Sequence, residues 1–411
     1  MKKVLLDPKS YGVSLSSWLS GYGGKGLKKA ISDPQSIVPI IKDAGLRGLG
    51  GSGFPTYKKW QFVCDQKANP DKYLICNGNE DEPGTFKDAF LLTNTPHQVV
   101  EGALITALAN NINKIIFYIN PEQTQSIESM RIAIEQWQKN ELYSKFEKKL
   151  AVPVFMQVLE SSGHYIGGEE TAAIEWVEGK FPFPRGKPPF PAISGVHGCP
   201  TLINNIETIA NVSHIVRNGA KWFQELGRGT SSGNKLFCLS GDVLNPGVYE
   251  LPMGTTLSEL IFTHGGGMLL SKKLKAVFTG GVSSTILTPK DLDVSLDFDS
   301  VYERGSSLGT GAMIVVSEGT GIVKRVTEYV NFYAHSSCGQ CPPCKTGTYY
   351  VSQLLNKIDT GRATIVDLDS LINLSKILPG SGRCHLIDGA MKIVDSSLEH
   401  FNEEYRSSLI S

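Results

Sequence analysis

Tyr73-Leu-Ile-Cys-Asn-Gly-Asn-Glu-Asp-Glu-Pro-Gly84 joins an apolar run to a loop of amides and carboxylates. The run Tyr73 to Cys76 reads as a buried strand, because it is apolar on both faces. Around it the pattern alternates. His97 to Leu108 (HQVVEGALITAL) has helical periodicity, Lys114 to Ile119 (KIIFYI) reads as a strand, and Val152 to Leu159 (VPVFMQVL) as another. Between the last two, Pro121 is expected to open a helix, with Ile127, Met130, Ile134 and Trp137 at spacings of three or four. A β–α–β–α–β order implies a parallel sheet with helices on its faces, hence an α/β fold. Ligands favour the carboxyl ends of parallel strands, which is where the loop Asn77 to Gly84 falls. Its side chains suit a flavin edge or ribose hydroxyls, although a solvated acidic turn has the same composition.

Further out, residues 1–34 carry Gly21, Gly23, Gly24 and Gly26 and few apolar runs, and read as a wrapping arm with some helix. Pro34 to Ala44 reads as a short helix before a glycine-rich loop. Gly167-Gly168-Glu169-Glu170-Thr171 introduces a helix, a proline-rich loop spans Phe181 to Pro191, and Asn204 to Val216 reads as helical. Gly229 to Gly233 has the composition of a hinge. The expected division is an arm (1–34), an α/β domain (35–232), a small α+β domain (233–320) and a helical region (321–411). Strand-like LFCLSG and GVYELP and the capping-box pattern Thr256 to Glu259 mark the small domain.

The chain has 411 residues, with 40 Lys+Arg against 40 Asp+Glu, and this zero net charge argues against a nucleic-acid binder. Glycine supplies 43 residues, above the usual share of about 7%, which marks sharp turns and close backbone approaches. No apolar window of about 18 residues and no signal-peptide pattern at Met1 to Asp7 are present, so an intracellular chain without membrane insertion is expected.

Cys338-Gly-Gln-Cys341-Pro-Pro-Cys344 sets three cysteines at two-residue gaps, and Cys384 follows in a glycine-flanked turn. Three thiolates on one tight loop suit three corners of a [4Fe–4S] cubane, with a distal cysteine as the fourth ligand. Zinc is the competing reading, but it favours two separated pairs. Gly48-Leu-Gly50-Gly51-Ser-Gly53 matches the dinucleotide fingerprint literally, yet a helix precedes it where a strand is required. It reads either as an ordinary turn or as a phosphate cradle of another plan, with Arg47, Lys58 and Lys59 beside it. Glu169-Glu170 has the default meaning of an N-terminal helix pair, and Phe190 that of a buried aromatic.

Eight segments in this order resemble one family: GLRGLGGSGFPT (45–56), NGNEDEPGTFKD (77–88), YIGGEETAAIEWVEGK (165–180), KPPFPA (187–192), PTLINNIET (200–208), NPGVYELPMGTT (245–256), FYAHSSCGQCPPCKTG (332–347) and GRCHLIDGA (382–390). The family is the NADH-binding flavoprotein subunit of respiratory complex I (NADH-quinone oxidoreductase), with the diaphorase subunits of NAD-linked hydrogenases and formate dehydrogenases. The resemblance implies an FMN-binding parallel-sheet domain, a ubiquitin-like β-grasp (SLBB-type) domain and a C-terminal helical bundle with the cluster. It implies FMN contacts from Gly48, Gly50, Lys59, Asn77, Asn79, Glu80, Tyr165, Gly168, Glu169, Glu170, Asn204 and Asn205. It implies NADH contacts from Phe54, Phe62, Glu82, Lys187 and Phe190, with Glu82 and Glu170 orienting the dinucleotide. It makes Cys338, Cys341, Cys344 and Cys384 the ligands of a [4Fe–4S] cluster. The implied activity is NADH oxidation, by hydride transfer to FMN and single-electron delivery to the cluster. Reversed flow, reducing NAD+ beside a hydrogenase or formate dehydrogenase, uses the same site, and a non-catalytic scaffold is the remote alternative. Implied partners are a thioredoxin-like [2Fe–2S] subunit and a larger iron–sulfur subunit, in the cytoplasm and peripheral to the inner membrane. The sequence departs from the family pattern at Leu49 (usually Arg), Asn79 (usually Asp) and Gly167 (usually Cys).

Overall fold

The computed structural model describes residues 3–410 apart from Ala68 and Pro70, so the first two residues of the expected arm lie outside the described residues. Four strands form a parallel sheet: β1 (Tyr73–Gly78), β2 (Lys114–Ile119), β3 (Phe155–Glu160) and β4 (Thr201–Asn205), in the order β3-β2-β1-β4. The alternation of β1 divides the core. Leu74 and Cys76 join the large cluster on one face, while Ile75 joins Tyr118, Ala173, Ile174, Val196 and Ile203 on the other. The helices Pro96–Asn110 and Ile206–Asn218 pack together on the first face, and Glu170–Val177 supplies Ala173 and Ile174 to the second. The chain therefore leaves β1 for β2 over one face and reaches β4 over the other. That reversal places a crevice at the carboxyl ends of β1 and β4, where Asn77 is paired with Asn205.

Three local expectations are corrected. The helix after β2 begins at Thr124 rather than at Pro121, because Asn120 Oδ1 accepts from Glu122 N at 3.0 Å and holds 121–123 in a turn. Strand β3 starts at Phe155, beyond Pro153, which has no N–H for a ladder. Residues 204–205 end β4 instead of beginning a helix. Asn205 is the cap of Ile206–Asn218, its side chain accepting from Glu207 N at 3.0 Å.

The second sheet contains β5 (Asn234–Gly241), β6 (Gly247–Pro252), β7 (Leu274–Thr279), β8 (Ile286–Leu287) and β9 (Ala312–Ser317), ordered β6-β5-β9-β7-β8. Its central pair β5 and β9 is parallel and the flanking pairs are antiparallel, which is the β-grasp arrangement. The capping box forms as expected: Thr256 N donates to Glu259 and Glu259 N donates to Thr256 Oγ1. The helices Ile322–Ser336, Tyr349–Asp359, Ile365–Ile377 and Leu386–Ser407 pack as a bundle. The bundle core takes in Phe278 and Ile286 of the β-grasp sheet and Ile166 of the α/β domain.

The arm is fastened at two buried carboxylates. Glu101 accepts from Trp18 Nε1 (3.0 Å), Gly24 N (2.7 Å) and Leu27 N (3.2 Å). Glu250, on β6, accepts from the backbone of Val4, Leu5 and Leu6 at 2.8–3.0 Å and from Asn234 Nδ2. Substituting Glu250→Ala strands three buried amides, and a cost of about 2–4 kcal/mol is expected in urea unfolding. Limited trypsin digestion of the folded variant should cut at Lys9, where the parent resists. Unchanged stability and unchanged digestion would contradict the fastening role.

Candidate functional site

A cavity of about 360 Å3 occupies the crevice at the carboxyl ends of β1 and β4. Its size is that of a cofactor site. Gly50, Asn77, Asn79, Glu80, Glu82, Tyr165, Gly168, Glu169 and Asn205 all line it, so nine of the positions assigned to FMN or NADH converge. A Cβ on Gly50 would stand 2.8 Å from Asn205 Cβ, and only glycine lets the 48–53 loop close against the end of β4.

Most of these side chains hold the cavity in shape. Asn77 Nδ2 donates to Gly168 O at 2.9 Å, tying the helical turn Tyr165–Gly168 to the end of β1. Asn79 Nδ2 donates to His164 O at 3.1 Å, and Asn79 Oδ1 accepts from Ser161 Oγ. An aspartate could not make the first bond, so the amide at this departure from the family pattern has a structural reason. At the second departure, a Cβ on Gly167 would fall 2.3 Å from Ser162 Oγ, so Ser162 fills the space a larger residue needs. At the third, Leu49 is buried in the main core and its N–H donates to Thr208 Oγ1.

The carboxylates divide by environment. Glu80 caps the helix Lys87–Asn94, accepting from Asp88 N (2.9 Å) and Ala89 N (2.8 Å), and burial with Asp88 beside it raises its pKa. Glu82 accepts from Tyr165 Oη at 2.6 Å and from Val282 N at 2.9 Å, so a β-grasp residue fixes it. Burial raises Glu82, against these hydrogen bonds, which lower it. Glu170 stands between Lys59 (2.9 Å) and Lys187 (2.6 Å). Burial acts to raise it, but the two ammonium groups hold its pKa down to about 2. Glu169 caps its helix, accepting from Thr171 N and Ala172 N, and also meets Lys187 at 3.2 Å. Arg185, paired with Glu175 and with Glu178 (2.9 Å), pins the proline-rich loop that carries Lys187 and Phe190.

Beneath the cavity lies a buried charge network with no signature in the sequence. Glu207 receives Lys87 Nζ at 3.1 Å, Lys235 Nζ at 3.0 Å and Leu236 N at 2.7 Å. Lys87 also meets Asp88 (2.8 Å) and Asn205 Oδ1 (3.1 Å), and Asn205 Nδ2 donates to Asp88 at 2.6 Å. Burial acts to lower Lys87, but Asp88, Glu207 and Glu80 raise it further, so it stays charged.

Cys338, Cys341, Cys344 and Cys384 line one small cavity with Ile166, Arg383, Leu386 and Ile387. All eight cysteines are free thiols. Among the described residues no three His, Cys, Asp or Glu side chains converge on a single metal-ion position. Four sulfur donors around one cavity fit an iron–sulfur cluster. Ile166, Cys384 and Leu386 line this cavity and the larger one alike, so a partition one side chain thick separates them.

Other expected residues lie off the cavity. Asn204 does not line the cavity: its Oδ1 accepts from Trp60 Nε1 at 2.9 Å inside the core. Gly48 closes the glycine loop, with Gly48 N donating to Phe54 O and Gly53 N to Gly48 O. Lys59 reaches Glu170 and Ile203 O at the rim. Phe54, Phe62 and Phe190 are 43%, 53% and 55% exposed, which overturns the reading of Phe190 as buried and leaves three ring faces open to a ligand. Lys87, Asp88, Thr85, Thr310 and His385 line the cavity without having been singled out. Thr310 comes from the β-grasp domain and meets Thr85 hydroxyl to hydroxyl at 2.8 Å, a proximity no local pattern encodes.

The domain models that match the protein keep the same order. Residues 41–214 match the Nuo51 FMN-binding domain, 236–286 the SLBB domain, and 324–408 the NADH-ubiquinone oxidoreductase-F iron-sulfur binding region. The NADH-quinone oxidoreductase F 2 subunit of Rhizobium meliloti is 42% identical over 393 residues, covering 95% of this chain and 93% of its own. The corresponding F subunit of Salmonella typhimurium is 36% identical, covering 100% and 95%. A chain of the NAD+-reducing [NiFe]-hydrogenase in the air-oxidized state superposes with a TM-score of 0.85 at 34% identity, covering 98% of this chain and 68% of that one. A cavity at the switch point of a parallel sheet, one partition away from four cysteines, in a chain matched end to end by these relatives, places the protein in the family of NADH-quinone oxidoreductase F subunits.

Proposed function

We propose that this chain oxidises NADH, with FMN held in the larger cavity and a [4Fe–4S] cluster held by Cys338, Cys341, Cys344 and Cys384. The observation that carries the reading is the shared partition of Ile166, Cys384 and Leu386, which sets a flavin-sized cavity against a four-thiol one. When bound, FMN takes up hydride and the cluster accepts electrons one at a time, chemistry that belongs to the cofactors. The chain supplies position and electrostatics. Gly50, Asn77, Tyr165 and Gly168 shape the flavin's bed, and Asn79 presents a neutral amide to it. Glu82 and Glu170 orient the dinucleotide: Glu82 is fixed by Tyr165 and Val282, and Glu170 is kept anionic by Lys59 and Lys187. Phe54, Phe62 and Phe190 offer exposed rings for the adenine.

A second reading, favoured by the hydrogenase neighbour, runs the site toward NAD+ reduction. Under either, the chain is one subunit of a larger redox assembly. We assign it a thioredoxin-like [2Fe–2S] partner and a larger iron–sulfur partner. None of the described helices is long and apolar enough to cross a membrane, so attachment to the cytoplasmic side of the inner membrane would run through partners.

An anaerobic visible spectrum of the reconstituted chain, before and after NADH, tests the core of this. Flavin bands and a broad iron–sulfur shoulder should both bleach. In Cys384→Ala the shoulder should fall with the iron content while the flavin still bleaches. A colourless reconstituted chain refutes the enzyme reading. Phe190→Ala should raise the NADH dissociation constant about three- to tenfold and leave FMN retention unchanged; released flavin fluorescence in place of weakened NADH binding would reassign the ring. Glu170 has a pKa of about 2 against its ordinary 4.5, so its ion pairs stabilise the chain above the ordinary value and are lost as the pH falls toward about 2. Thermal melts between about pH 5 and about pH 3 should therefore fall more steeply for the parent than for Glu170→Gln, which should cost about 1–2 kcal/mol at neutral pH.

A further inference from the structure

Among the four cysteines Cys344 is the buried one, and the other three are partly exposed. Its sulfur carries a side-chain hydrogen bond: Ser337 Oγ donates to Cys344 Sγ across 3.1 Å. Ser337 is the residue at which the helix Ile322–Ser336 ends, and its backbone is extended (φ −65°, ψ 129°), turning the chain toward Cys338. A serine at a helix end ordinarily bonds back to a carbonyl of the preceding turn. Here the hydroxyl is aimed elsewhere. Its oxygen accepts the N–H of Gly339 at 3.2 Å, which occupies one lone pair and leaves the proton directed at the sulfur.

We propose that Ser337 is a positioning residue that sets the reduction potential of the cluster through Cys344; this rests on the cluster assigned above. Reduction adds a negative charge spread over the iron and sulfur atoms. A donor fixed on a ligand sulfur stabilises that charge and raises the potential. The bond is made to the one buried cysteine of the four, where a low local dielectric strengthens it. Cys344 also belongs to the bundle core with Ile166, the residue that partitions the two cavities.

The test uses the full chain reconstituted with FMN, iron and sulfide, in parent, Ser337→Ala and Ser337→Thr forms. Iron and acid-labile sulfide are assayed first, and the cluster is then titrated potentiometrically under EPR detection. The expected result is full loading in all three, a midpoint shifted negative in Ser337→Ala, and a midpoint returned toward the parent in Ser337→Thr. The flavin midpoint in the same samples should not move with it. A fully loaded Ser337→Ala with the parent's midpoint overturns the proposal. So does loss of the cluster in Ser337→Ala, which would make the hydroxyl a structural support. A parent chain that takes up no iron refutes the cluster assignment itself, and does so before any variant is compared.

Discussion

Glu207 sits between two buried ammonium groups, and the geometry of the cavity above depends on that contact. Lys87 comes from the helix after the acidic loop, Glu207 from the first turn after β4, and Lys235 from the first strand of the β-grasp sheet. Taking such groups out of water costs several kcal/mol each unless they are paired and hydrogen-bonded. The structure satisfies them: Asp88, Asn205, Leu49 O and Leu236 N complete the shell. Removing Glu207 leaves the Lys235 ammonium buried with only the Leu49 carbonyl as hydrogen-bond partner among the described residues. The network therefore works as a register pin, fixing the ends of β1 and β4, the helix at 87–94 and the second domain in one relative position.

That pin explains why the site draws on three domains without being loose. The amides of Asn77 and Asn205 come from the parallel sheet, Thr310 and the Val282 N–H from the β-grasp domain, and Cys384 and Leu386 from the bundle. The bonds that the two later domains make into the first are ones a hinge motion would break. The Glu82 carboxylate is the clearest case, held by a tyrosine of one domain and a backbone amide of another. Glu170 differs: its partners are two lysines of the same domain near the rim, where solvent can reach.

How much of this was legible depended on the range of the signal. The strands β1 and β2 were plain because a strand buried on both faces is a continuous apolar run. The four cysteines were plain because three share a loop whose spacing has chemical meaning. Strand β4 was hidden, since five residues ending in two asparagines resemble the helix start they lead into. Asn204 and Asn205 look equivalent in the sequence, but a strand sends successive side chains to opposite faces. One therefore meets Trp60 in the core and the other lines the cavity. Phe190 was misread because apolar residues are buried by default, while the anchoring of its loop through Arg185 holds it outward. The Lys87–Glu207–Lys235 pairing had no local trace, because its members are joined only by the folded topology.

The partition formed by Ile166, Cys384 and Leu386 belongs to two cavities at once. Cys384 borders the larger cavity as well as the smaller, and the turn that carries it is tied to its surroundings by Arg383, which reaches Pro184 O and Gln340. The two compartments therefore share a wall, and a displacement of the turn at Cys384 alters the shape of both.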